Sequence, residues 1–177
     1  MGVKMELMIT GHFNNHERAE AAVRALGEAG FPYSNISIVA QNLQSGAQVQ
    51  VLAAPSDAHP PTPLLGAIGG LLLGAAALTL PGVGPLLVAG PLAANFFGVL
   101  DGALLGTSSG GLIGALMGYG LPRDKAQKYQ TAVENGGFLF MAHGDANQIE
   151  LARGVLEHHQ ASDLEIASAN GEISNLV

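Results

Sequence analysis

Two stretches of this chain carry regular apolar periods, and the stretch between them carries almost no polar punctuation. In the first, Met5-Glu6-Leu7-Met8-Ile9-Thr10-Gly11 reads as a buried strand. Asn14 or Asn15 then caps a predicted helix from His16 to Glu28, with Ala19, Ala22, Val23 and Leu26 at helical spacing. Gly30 stops it, and Ile36-Ser37-Ile38-Val39 reads as a strand. In the last stretch Pro122 opens a helix over Arg123 to Asn135 that ends at Gly136-Gly137. Phe138 to Ala142 reads as a strand. Asp145 caps a helix through His158 with Ile149, Ala152, Val155 and Leu156 facing in, and Leu164 to Ala167 is the last strand.

The two ends are thus both β-α-β units, the second preceded by an extra helix. Such halves pair into a four-stranded antiparallel sheet with helices on one face, so the predicted fold is α+β and ferredoxin-like. The link between the halves is too long for a hairpin and reads as an insertion. Residues 1–41 and 122–177 form the two halves, 42–61 a linker with a possible short strand at Val49 to Leu52, and 62–121 an apolar insert.

Between Ala58 and Pro122 the only formally charged residue is Asp101. Glycines recur there every four residues: Gly66, Gly70 and Gly74, then Gly98, Gly102, Gly106, Gly110, Gly114 and Gly118. On a helix that period makes a ridge without side chains, along which another backbone approaches closely. The pattern predicts a glycine-zipper hairpin: a helix from Pro63 to Leu80, a turn at Pro81-Gly82-Val83-Gly84-Pro85, a break at Gly90-Pro91, and a helix from Leu92 to Gly120. At 1.5 Å per residue the two helices span about 27 Å and about 43 Å. Glycine costs about 1 kcal/mol per helical residue, so the hairpin needs close packing or an apolar solvent.

Two environments satisfy that need. One is a membrane: the lengths approach a span, and Arg123, Lys125 and Lys128 follow the apolar zone as flanking positive charge. The other is the interior of a homo-oligomer, which Asn95, Asp101, Thr107, Ser108 and Ser109 favour because they dilute the hydrophobicity of the longer helix. Asp101 is read either as a proton-relay or pairing residue or as the rim of the hairpin.

Composition narrows the function. A net charge of −7 speaks against a nucleic-acid surface. The absence of cysteine removes thiolate nucleophiles and zinc-cysteine sites. Glu6 interrupts any signal-peptide core, so the expected location is the cytoplasmic face of the inner membrane, peripheral or integral by hairpin. Neither a phosphate loop nor a nucleophile elbow occurs, and the expectation is a non-catalytic protein with no cofactor and no bound metal. His12 and His143 stand at matching strand ends and form a candidate ligand pair, read chiefly as a polar strand end and cap. His158-His159 complements a helix C-terminus.

The layout resembles the bacterial heat-induced general stress protein family (YflT-like, general stress protein 17M-like domain). The residues that carry the likeness are Gly11-His12-Phe13, Gly30-Phe31, Pro81-Gly82-Val83-Gly84-Pro85, Gly114-Ala115-Leu116, Gly120-Leu121-Pro122, and Tyr129 with Gly136-Gly137. The resemblance implies stress association without an established chemistry. In plan the chain is also similar to the membrane-linking scaffold subunit of aerobic uptake hydrogenases. That likeness implies a hydrophobic helical tube, lined here by Leu71, Leu72, Leu78, Phe96, Phe97, Leu104, Leu105 and Leu112, carrying lipid or quinone to a redox-enzyme partner. The expected function is therefore an oligomeric, membrane-associated scaffold or stress protein, with the lipid or quinone carrier as the alternative.

Overall fold

The computed structural model describes residues 6–41, 76–80, 83–93 and 111–168, with the backbone alone described for 76–80. In chain order the elements are β1 (Leu7–Phe13), α1 (His16–Glu28), β2 (Ile36–Gln41), β3 (Ala76–Leu80), β4 (Gly84–Ala89), α2 (Gly111–Gly118), α3 (Arg123–Glu134), β5 (Phe138–Gly144), α4 (Ala146–His158) and β6 (Ser162–Ser168). The strands form one six-stranded sheet in the order β3-β4-β2-β5-β1-β6, and every pairing is antiparallel.

Strand alternation sorts the apolar side chains into two cores. Leu7, Ile9 and Phe13 of β1, Ile36 and Ile38 of β2, and Phe140 and Ala142 of β5 meet Ala19, Ala22, Val23 and Leu26 of α1 and Ile149, Ala152 and Leu156 of α4. The intervening residues Met8, Val39, Leu139 and Met141 point the other way. They meet Leu112 and Leu116 of α2 and Ala126, Tyr129 and Val133 of α3. The sheet is therefore covered on both faces, where the sequence pattern placed helices on one. Its central strands are accordingly apolar at nearly every position, as two-sided burial requires.

Helix ends follow the local chemistry. The Asn15 side chain accepts from the Glu17 amide at 2.7 Å. Asp145 and Gln148 form a reciprocal capping box at the start of α4. Among the described residues, α1 to α4 close with the same pair of reverse backbone bonds, such as Phe31 N to Leu26 O and Gly30 N to Gly27 O after α1. The left-handed residue of that closure is glycine after α1, α2 and α3 and Gln160 after α4.

Within its described residues the apolar insert departs from its predicted form at one segment. Ala76–Leu80, expected as the end of a helix from Pro63, is a strand. It pairs antiparallel with β4, and β4 pairs in turn with β2. A short apolar run has no period that separates strand from helix, and the edge offered by β2 decides the matter. Gln41 Nε2 donates to Val83 O at 3.1 Å, and the Ser37 hydroxyl accepts from the Leu92 amide at 3.1 Å, fixing both ends of β4. Gly90 breaks the chain as predicted: its φ is +83°, and a Cβ there would lie 2.0 Å from the Ile36 carbonyl oxygen. The expected helix from Leu92 to Gly120 is, within the described residues, a helical turn at residues 91–93 and α2. Among the described residues no helix is long and apolar enough to cross a membrane.

Candidate functional site

The densest polar arrangement among the described residues lies where β1, β6 and α3 meet. β1 and β6 pair Thr10 with Glu165 and His12 with Ser162, so β6 advances three residues while β1 advances two. The extra residue makes a bulge. Asp163 adopts φ 52° there, a left-handed conformation unusual outside glycine. Bulges re-aim side chains and backbone groups, and this one turns Asp163 toward α3.

Tyr129 of α3 receives it. Tyr129 is fully buried, and its hydroxyl donates to the Asp163 carbonyl and lies 3.0 Å from Thr10 Oγ1. Thr10 Oγ1 also donates to the Glu165 carbonyl at 3.5 Å. Charged pairs surround this buried chain of hydroxyls. Lys125 Nζ is 2.9 Å from Glu165 Oε2, and Lys128 Nζ is 3.6 Å from Asp163 Oδ1. The hydrogen bond to Glu165 raises the Lys125 pKa, and burial raises that of Tyr129, so the phenol is neutral.

His12 completes the cluster. Its ring meets Tyr129 edge to face at 6.2 Å between centroids, and Nδ1 is 3.7 Å from Asp163 Oδ2, beyond hydrogen-bond range. Burial lowers its pKa, against the opposing pull of Asp163. The arrangement joins an edge strand to a helix through neutral hydroxyls, two lysine-carboxylate pairs and a neutral imidazole. It presents no nucleophile beside a base, and among the described residues no cluster of three or more potential ligands could hold a metal.

His143, the other half of the expected ligand pair, stands elsewhere. Both histidines are near the C-terminal ends of their strands, but β1 and β5 run antiparallel. The register therefore sets His143 opposite Met8 and His12 opposite Leu139, at opposite ends of the sheet. Four residues of strand, about 13 Å, separate the two positions, so they are not a ligand pair. His143 Nδ1 is buried without a hydrogen-bond partner, its ring lies 5.7 Å from that of Tyr119, and burial lowers its pKa. His158 and His159 do close the end of α4, with their rings edge to face.

A second feature is the outward side of α2. Leu112 and Leu116 point into the core and are fully buried. At about 100° per residue, Gly114, Met117 and Gly118 fall on the opposite side. Met117 is 44% exposed, and a Cβ on Gly118 would meet nothing within 4 Å. Of the expected packing glycines, Gly66, Gly70, Gly74, Gly98, Gly102, Gly106 and Gly110 lie outside the described residues, as does Asp101. So do the expected tube-lining Leu71, Leu72, Phe96, Phe97, Leu104 and Leu105. Leu78 is on β3. Leu112 faces this chain's own core against α3 and so does not line a tube.

Sequence reasoning singled out His12 but passed over Thr10, Asp163 and Glu165, read Lys125 and Lys128 only as charge flanking the apolar zone, and noted Tyr129 only as part of a resemblance. A signal was present. Asp163 and Glu165 alternate on a strand and therefore share a face, while Lys125, Lys128 and Tyr129 fall at helical spacing.

These features define a class: an α+β protein with one antiparallel sheet between two helical layers, a polar clamp on one sheet edge, and an uncharged glycine-bearing helix facing outward. No family model, no curated protein and no solved structure matches the chain.

Proposed function

We propose that this chain is a non-catalytic assembly protein that associates with further copies of itself through α2. The observation that carries the reading is the orientation of this helix. It is uncharged throughout, turns its two leucines inward, and leaves Gly114, Met117 and Gly118 outward. A helix face lacking side chains at two positions lets a second backbone come close. In the sequence, Gly114 and Gly118 of α2 are the last two of a four-residue glycine period that begins at Gly98.

The fold reading belongs with this one. The strand order β2-β5-β1-β6, with α1 and α4 side by side on one face, supports a ferredoxin-like domain split between β2 and β5, with α3 added on the second face. General stress association is the role that the sequence resemblance adds, and contact with membrane lipid at the same apolar ridge is the expectation it leaves.

The test is the mass of the full chain in solution without detergent, in the wild type and in Gly118→Leu. Gly154→Leu on the exposed side of α4 is the control, because a Cβ there also meets nothing within 4 Å. The expected result is a defined oligomer that Gly118→Leu reduces and Gly154→Leu preserves. Equal mass in all three proteins would overturn the reading. So would recovery of all three only with membranes, which would assign the ridge to lipid.

A further inference from the structure

At its C-terminal end α2 is held to the body of the protein through Leu116, Tyr119 and Leu121. The helix closes through Leu121 N to Leu116 O and Gly120 N to Met117 O, and Leu121 is buried. Between these anchors Tyr119 lies against the imidazole of His143, with centroids 5.7 Å apart and planes inclined at 49°. That imidazole is itself unusual. Its Nδ1 is shut off from solvent and has no hydrogen-bond partner. A neutral ring tolerates this with Nδ1 as the unprotonated nitrogen. A protonated ring does not, because its second N–H becomes a buried donor of a charged group with no acceptor.

The surroundings decide where a proton would drive the ring. Across the pair of strands stands Met8, which carries no charge. From the turn before β2, the Asn35 side-chain amide donates to the His143 carbonyl at 3.2 Å and fixes the backbone, so only the side chain is free to move. The phenol of Tyr119 covers the ring from the end of α2. Two groups favour the charged ring, the carboxylate of Glu6, exposed just before β1, and the backbone of Asn35, and burial outweighs both. An imidazolium therefore gains hydration by leaving its pocket toward Glu6 and water, and stays buried only at the cost of desolvation.

We propose that His143 and Tyr119 form an acid-operated catch on α2, in which protonation of the buried imidazole displaces Tyr119 and releases the C-terminal end of the helix. Burial already favours the neutral ring at neutral pH, so the catch is closed there and opens on acidification. The consequence for assembly rests on the function proposed above. The loosening of α2 does not.

The experiment is amide hydrogen exchange on the full chain, read as protection factors for peptides covering 111–121, from about pH 7.5 to about pH 5. In the wild type, protection of α2 should fall on acidification by up to about tenfold per pH unit, the limit for one proton taken up per opening. His143→Phe keeps a neutral ring under Tyr119 and should hold protection constant. His143→Gln serves the same purpose should the phenylalanine fail to fold. Tyr119→Ala should loosen α2 already at neutral pH, and His12→Gln should respond to acid as the wild type does. Full protection of wild-type α2 at the acid end, or equal loosening in His143→Phe or His143→Gln, would overturn the proposal. Solution mass followed in parallel separates the two readings. α2 that loosens in a chain monomeric at every pH would sink the assembly reading and leave the catch standing. Unchanged protection in a stable oligomer would do the reverse.

Discussion

Removing the Tyr129 hydroxyl is the sharpest probe of the clamp at the sheet edge. In Tyr129→Phe the ring still fills its place in the core, so no large cavity opens. Two hydrogen bonds are lost, to Thr10 Oγ1 and to the Asp163 carbonyl. Each is worth about 1 kcal/mol net, and the deprived partners are wholly or partly buried, so the loss should be about 2 kcal/mol. Thr10→Val removes the other hydroxyl while keeping the branched shape. Tyr129 then still reaches Asp163, and Thr10 gives up only a long 3.5 Å bond to Glu165 besides, so about 1 kcal/mol is expected. The double variant leaves no orphaned hydroxyl, and its loss should be about 2 kcal/mol, not the sum of the two, a coupling of about 1 kcal/mol. Urea denaturation at one fixed protein concentration measures all four proteins, comparing midpoints at a common slope. A Tyr129→Phe protein within about 0.5 kcal/mol of the wild type, or strictly additive losses, would refute the reasoning.

Two further outcomes follow from backbone and burial. Gly90→Ala should cost about 2 kcal/mol or more, because it combines a left-handed backbone with a Cβ driven onto the Ile36 carbonyl; Gly154→Ala, in the open, should instead raise the unfolding free energy by about 0.5–1 kcal/mol, seen as a higher urea midpoint. Stability should fall with acid through His12 and His143. Burial holds both folded-state pKa values below the ordinary 6.5, so the unfolded chain binds more protons as the pH drops beneath that value. The contribution is whole above the ordinary pKa and is lost between it and the lower folded value. Urea midpoints across that window should decline in the wild type and decline less in His12→Gln.

The two β-α-β ends were legible because their signals are local. Ala19, Ala22, Val23 and Leu26 mark a helix face, and Asn15 and Asp145 cap where capping chemistry says they should. Four features were not legible, each for a tertiary reason. Ala76 to Leu80 has no decisive period, and its state depends on β4 and β2 being available for pairing. The helix over Arg123 to Glu134 was evident, but its position on the second face depends on Met8, Leu139 and Met141 being apolar on strands that are apolar at nearly every position. The separation of His12 from His143 follows from strand direction: like ends of antiparallel neighbours lie apart. The clamp around Tyr129 depends on one extra residue in β6, which register alone reveals.

The sheet order has a consequence for how the chain reaches its fold. Among the described strands β1 pairs only with β5 and β6, and β5 also separates β1 from β2. The first forty residues therefore cannot close a sheet among themselves. During synthesis β1 waits until β5 has been made, and β2 meets β5 across a separation of about a hundred residues. The entropy of closing such a loop grows only logarithmically with its length, but contacts so distant in sequence slow folding. β2 can meet β4 earlier, so β1, unpaired for that interval, is what a nascent chain must shield. For this protein the vulnerable period is set by the position of Phe138 to Gly144 in the chain.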